Sequence, residues 1–273
     1  MTIAIDIGNT NIDVALFEDE KLIRLWRVFT DSRRTGDEYA SVLRGFFRDE
    51  GIKPATALES VTISSVVPSL TESFIMATEM ISGKKPIVVS PAHFEKLPLK
   101  IPSAEMGSDL VCDALEAFYR TKSACITVDF GTALTFTAVR STGEIAGVSI
   151  APGLGTAINS LFQQTAQLPQ VPLEAPSSVL GLNTTHCIQS GVILGYKGLV
   201  EYIVNQIKSE MNQKYGETNI KVIATGGLSK VLAAQTTIFD SVDKFLTVSG
   251  VRRFGEFVKF PSILDDFLKS LQF

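Results

Sequence analysis

Apolar and polar positions along Ile3–Thr30 predict three strands. Ile3–Phe17, IAIDIGNTNIDVALF, holds two apolar runs split by Gly8, Asn9 and Thr10, and reads as a β-hairpin with a small polar turn. Lys21–Thr30 alternates well enough for a third strand. Thr35–Phe47 switches to helical spacing, with Tyr39, Val42, Leu43, Phe46 and Phe47 on one face. Asp37 and Glu38 sit where acidic groups favour a helix N-terminus. Val61–Val67 is a short β-branched strand stopped by Pro68. Ser69–Ile81 is expected as a helix and Pro86–Ser90 as another short strand, so the first half reads β-β-β-α-β-α-β, an α/β layer arrangement.

The pattern then starts again. Met106–Asp109 opens a helix running to about Arg120, with Val111, Leu115 and Phe118 apolar. Ala124–Val139, ACITVDFGTALTFTAV, repeats the order strand, aspartate, glycine, strand. One Asp–Gly turn is weak evidence; two, one in each half, point to a duplicated fold. Glu144–Ile150 is expected as a strand, Thr156–Thr165 as a helix and Val179–Thr185 as a loop. Ile188–Met211 reads as one long helix with Val192, Leu199 and Ile203 inward, and Gly191, Gly195 and Gly198 suited to close packing. Ile220–Ala224 is a buried strand leading into Gly226-Gly227, and Phe257–Phe273 has the spacing of a single terminal helix.

Composition narrows the class. With 45% hydrophobic residues in 273, the chain can bury a large core. A net charge of -4 argues against a nucleic-acid surface. Cys112, Cys125 and Cys187 are odd in number, scattered and without CxxC spacing, so they are expected to be buried, reduced thiols of a cytoplasmic protein. The first residues read directly as strand, without a leader pattern. No apolar run reaches the roughly 20 residues of a membrane span.

The chemistry collects at the two hairpin turns. Gly8 lets the backbone turn tightly and approach a ligand. The amides and hydroxyls of Asn9, Thr10 and Asn11 can donate to phosphate oxygens. Asp6, at a strand end, can hold Mg²⁺, usually through water. An ordinary Asn/Gly hairpin turn is the plain alternative. Asp109 is either an acidic first-turn residue favouring a helix dipole or a carboxylate able to take a proton from a substrate hydroxyl. Spacing alone does not choose.

Together these stretches resemble the actin-like ATPase and sugar-kinase superfamily, and more closely the type III pantothenate kinases. The resemblance runs from Asp6 to about Gly250, through DIGNTNID, RRTGDEY, SSVVP, GSD, DFGTALTF, APGL, TAQLP, GLNT with IQSG, and ATGGLS in that order. It implies duplicated actin-like (ribonuclease H-like) α/β domains, 1–117 and 118–273, with mixed sheets flanked by helices and a nucleotide cleft between the halves. It implies ATP-dependent phosphorylation of pantothenate, the first step of coenzyme A synthesis. Asp6, Ile7, Gly8, Asn9, Thr10, Asn11, Ile12 and Asp13 would line the triphosphate and Mg²⁺, and Thr132 would contact ATP from the second half. Asp129 would hold a monovalent cation, K⁺ or NH₄⁺. Asp109 would be the general base, and Gly107, Ser108 and Thr184 would help bind pantothenate. The family works as a homodimer, with no nucleic acid and no membrane.

The chain departs from the family pattern on the acceptor side. Leu110 stands where an arginine usually follows the catalytic aspartate, and Asp113 where an asparagine is usual. Lys100 and Ile101 replace an expected aromatic, and Val148 replaces a glycine ahead of APGL. Two other readings stay open on these grounds. One is a non-catalytic nucleotide-binding relative acting through a protein partner. The other is a kinase for another small hydroxylated acceptor.

Overall fold

The computed structural model describes residues 1–164 and 171–271. Its elements in order are β1 (Thr2–Ile7), β2 (Asn11–Glu18), β3 (Lys21–Phe29), α1 (Gly36–Asp49), α2 (Pro54–Ala57), β4 (Ser60–Ser65), α3 (Pro68–Ser82), β5 (Ile87–Val88) and α4 (Ser108–Thr121). There follow β6 (Cys125–Phe130), β7 (Ala133–Val139), β8 (Ile145–Pro152), α5 (Leu154–Gln164), α6 (Thr184–Gln189), α7 (Gly195–Tyr215), β9 (Lys221–Thr225), α8 (Ser229–Ala233), β10 (Ser241–Val242), α9 (Leu246–Lys259) and α10 (Ser262–Leu271).

The strands form two five-stranded mixed sheets, ordered β3-β2-β1-β4-β5 and β10-β9-β6-β7-β8. Read from β8, the second sheet repeats the first: an antiparallel three-strand meander followed by two parallel strands. The duplication expected from the two Asp–Gly turns is therefore present in the topology.

By contacts the chain divides into two compact units, Met1–Tyr119 with Leu246–Phe273, and Arg120–Phe245. The last stretch thus packs with the first unit and not with the half it follows in sequence, unlike the expected 1–117 and 118–273 division. In the first unit, alternation along the strands serves two layers. Val61 and Ile63 of β4 join Ile3, Ile5, Tyr39, Leu43, Leu70 and Phe74 in a core under α1 and α3. Thr62, on the opposite face, meets Gly255 of α9, and Ser64 beside it meets Ser108 of α4. The second unit has its own core of Ile126, Val128, Leu134, Phe136, Val200, Val204 and Val222.

Several expectations need correction. The long helix starts earlier and is broken: α6 passes through a π turn, Ser190–Leu194, into α7. Among the described residues, side chains added at Gly191, Gly195 or Gly198 would meet nothing within 4 Å, so these glycines serve no close packing there. The tail is two helices, because Pro261 cannot continue α9. Cys112 and Cys125 are buried, but Cys187 is exposed, on a helix whose outward face is polar. The TAQLP stretch and Phe273 lie outside the described residues.

Candidate functional site

In the first unit the site begins at the β1–β2 hairpin. Asp6 and Asp13 are cross-strand partners, and Gly8 N–H donates to Asn11 O across the turn at 3.0 Å. Thr30, at the end of β3, donates its hydroxyl to Gly8 O (2.7 Å) and its N–H to Thr10 O (3.0 Å), so the turn is braced from outside. Asn9, Thr10 and Asn11 are exposed at the turn. Ile7 and Ile12 are fully buried, so their side chains belong to the core and not to a ligand surface. Asp13 is held bidentately by Arg27 (2.6 and 2.7 Å), a residue the sequence reading did not single out. That pair gives Asp13 a fixed position at the hairpin and already engages both its oxygens.

Parallel pairing of β1 with β4 sets Asp6 beside Ser64. Ser64 Oγ donates to Asp6 Oδ1 at 2.8 Å and lies 3.0 Å from Ser108 Oγ. Ser108 opens α4 and Asp109 follows it. The Asp109 carboxylate folds back on its own helix start: Oδ1 accepts the Leu110 N–H at 2.8 Å. A side chain at Gly107 would crowd that oxygen, which explains the glycine. Burial pushes the Asp109 carboxyl up from its usual range, against the backbone N–H bonds that lower it. A carboxylate short of water is a better proton acceptor than a solvated one. Deeper in α4, Cys112 is fully buried and its thiol is pushed well up, first by burial and then by the charges of Asp6, Asp113 and Asp109.

In the second unit the β6–β7 turn carries Asp129, Gly131 and Thr132. Asp129 is half-buried and pairs in register with Thr135 and Thr225. Thr132 O accepts the Gly153 N–H (3.1 Å) and the Thr156 hydroxyl (2.7 Å), so the APGL stretch backs the turn. A Cβ at Gly153 would overlap the carbonyls of Gly131 and Thr132. Gly226 has a φ of 87°, and a Cβ there would overlap Asp129 and Phe130. Both glycines are thus required by close backbone approach. Thr184 starts α6, exposed, next to the Asn183 side chain that caps it.

Among the described residues, no three His, Cys, Asp or Glu stand together as a metal cluster. The donors present fit cations that take few protein ligands. Mg²⁺ bound to nucleotide uses one or two carboxylates and completes its shell with water and phosphate, and Asp6 offers a carboxylate with one oxygen fixed by Ser64.

Comparison with known proteins follows the same lines. The family model for type III pantothenate kinase matches residues 2–206, which include every candidate residue above. A type III pantothenate kinase of Roseiflexus sp. (strain RS-1) is 41% identical over 253 residues, spanning 92% of this chain and 97% of the relative. One from Geotalea uraniireducens (strain Rf4) is 39% identical over 253 residues, spanning 92% and 96%. A ROK family glucokinase structure from Streptomyces griseus, in complex with glucose and AMPPNP, matches with a TM-score of 0.51 at 12% identity, covering 93% of this chain and 99% of that one. That likeness speaks to the fold alone, the actin-like, sugar-kinase fold.

Proposed function

The chain belongs to the type III pantothenate kinase family, and from that premise we propose that it transfers the γ-phosphoryl group of ATP to the hydroxyl of pantothenate. The products are 4'-phosphopantothenate and ADP, the first step of coenzyme A biosynthesis. The observation that carries the reading is 39–41% identity to type III pantothenate kinases over 92% of the chain.

The residues divide the work as phosphoryl transfer requires, by positioning and charge neutralisation. Gly8, Asn9, Thr10 and Asn11 offer donors to the phosphates, with Ile7 and Ile12 assigned to the same hairpin as the buried residues that hold it in place. Asp13 is oriented by Arg27 at the same hairpin, and Thr132 is assigned to ATP. Asp6 is assigned to Mg²⁺, which when bound neutralises phosphate charge. Asp129 is assigned to K⁺ or NH₄⁺. Asp109 takes the proton of the pantothenate hydroxyl as its oxygen bonds to phosphorus and the bond to ADP breaks. Gly107, Ser108, Leu110 and Thr184 are assigned to pantothenate, Ser108 through its backbone because its hydroxyl is engaged inside the protein. A cytoplasmic homodimer is part of the proposal. Ile150, Leu180 and Leu182 are exposed apolar side chains that a second copy can cover.

The test is ADP release with pantothenate, Mg²⁺ and K⁺, with the product identified by mass. Pantothenate-dependent turnover that falls when Na⁺ replaces K⁺ is expected. ATP binding without turnover would replace this reading by a non-catalytic nucleotide-binding protein. Leu110 favours one second reading, a different small hydroxylated acceptor, which a panel of acceptors in the same assay decides.

A further inference from the structure

Two serine hydroxyls lie between the carboxylate assigned to the metal and the helix that carries the assigned base. Ser64 is fully buried and Ser108 is 9% exposed. Their hydrogen bonds have a direction that proton counting fixes. Ser64 Oγ has one proton, and it donates that proton to Asp6 Oδ1 at 2.8 Å. At the 3.0 Å contact between the two hydroxyls Ser64 must therefore accept, and Ser108 donates. Ser108 Oγ in turn accepts the N–H of Ser65 at 3.0 Å. Every proton in the chain, from Ser65 N–H through Ser108 and Ser64, points toward Asp6.

We infer that Ser64 and Ser108 are positioning residues that orient the Asp6 carboxylate for Mg²⁺·ATP and pin the start of α4, with Asp109, to the β1–β4 pair. The inference rests on the reading of Asp6 given above. Aligned hydrogen bonds polarise one another, so the last bond, onto the carboxylate, is the strongest and most directional. With Oδ1 held, rotation of the carboxylate is stopped and its second oxygen keeps one direction. Because Ser108 is the first residue of α4, the same two hydroxyls also set where Asp109 begins. Alanine at either position leaves a buried donor or acceptor without its partner.

The experiment measures Mg²⁺·ATP binding by calorimetry without pantothenate, in wild type, Ser64→Ala, Ser108→Ala and the double variant, with circular dichroism and melting curves as checks of folding. Ser64→Ala is expected to weaken Mg²⁺·ATP binding about tenfold or more, the size of a lost hydrogen bond to a charged group. Ser108→Ala is expected to weaken it in the same direction by less. The double variant should be no weaker than Ser64→Ala, since links in series do not add. ATP binding in EDTA should be unchanged in all three, which a merely structural lesion would not spare. If Ser64→Ala fails to fold, Ser108→Ala, nearer the surface, carries the same expectation. Wild-type Mg²⁺·ATP affinity in the single variants, or losses that multiply in the double, would overturn the inference. If wild type binds Mg²⁺·ATP yet phosphorylates no pantothenate, the assigned reaction falls while the binding measurements still decide the relay.

Discussion

At the residue scale, the candidate site is legible in sequence only as short motifs that put a carboxylate at a strand end or helix start: Asp6, Asp109 and Asp129. Ser64 was not legible, because its role comes from parallel pairing with a strand 58 residues away. Arg27 was hidden for the same reason, one strand over from Asp13. The environment of Asp109 gives a directional prediction. Its folded pKa is raised by burial, so the base is lost as pH falls through a value above that of an ordinary aspartate. The acid limb of kcat/KM should therefore lie above the usual aspartate range of about 3.9. It should vanish in Asp109→Asn, together with about 10²–10⁴-fold of kcat, while ATP affinity stays near wild type. An unchanged limb in that variant would assign the base elsewhere. Leu110 gives a second prediction. A guanidinium there can meet the carboxylate of pantothenate with charge-assisted bonds worth roughly 1.5–3 kcal/mol. Leu110→Arg should lower KM for pantothenate about tenfold or more in steady-state assays. A higher KM would mean that another residue already holds the substrate carboxylate.

At the element scale, long periodic stretches were readable and short or mixed ones were not. The two hairpins, α1 and α3 follow directly from alternation and helical spacing. β10 has two residues and no pattern to detect. α9 escaped notice because its inward face carries Arg252 and Arg253, both nearly fully buried, where an apolar residue would have marked the face. Arg253 is accommodated by Glu116 (3.1 Å), Glu20 (2.8 Å) and Glu256 (3.2 Å), and by the Tyr119 ring 3.6 Å below it. A buried charge needs such partners, and all but Glu256 come from distant parts of the sequence. Two helical glycines should respond to alanine with opposite signs. A Cβ on Gly250 of α9 would overlap the backbone of Cys112 in α4, which cannot move aside as a side chain can. Gly250→Ala should cost about 1–3 kcal/mol or more in urea unfolding, as overpacking does. Gly45 of α1 has open space where its Cβ would stand. Gly45→Ala should add roughly 0.5–1 kcal/mol, the usual gain inside a helix. Equal shifts in the two variants would contradict the close approach of α9 to α4.

At the scale of the whole molecule, duplication was readable from two turns, but the path of the last stretch was not. Nothing in Leu246–Phe273 announces that it returns to the sheet formed by the first residues. The pattern shows that a helix is amphipathic, never which surface it covers. In the structure Leu246, Val251, Phe254 and Phe257 are buried in the first unit, and Phe267 packs on Phe118, Tyr119 and Phe257. Each of the first four, fully buried, contributes roughly 1.5–3 kcal/mol, so α9 alone is worth on the order of 6–12 kcal/mol. That is comparable to the whole stability of a typical domain, about 5–15 kcal/mol. A chain ending at Phe245 should therefore lose the cooperative unfolding of its first unit, although both five-stranded sheets are still fully encoded. A chain ending at Phe260 keeps α9 and loses only α10 with the Phe267 contacts. It should fold, with a lower urea midpoint and a largely kept slope, since most of the surface buried on folding is unchanged. The order of the two truncations is the decisive comparison. If the chain ending at Phe245 unfolds cooperatively at the wild-type midpoint, the sheet of the first unit is stable without α9. The last stretch would then be an accessory and not the missing layer of that unit.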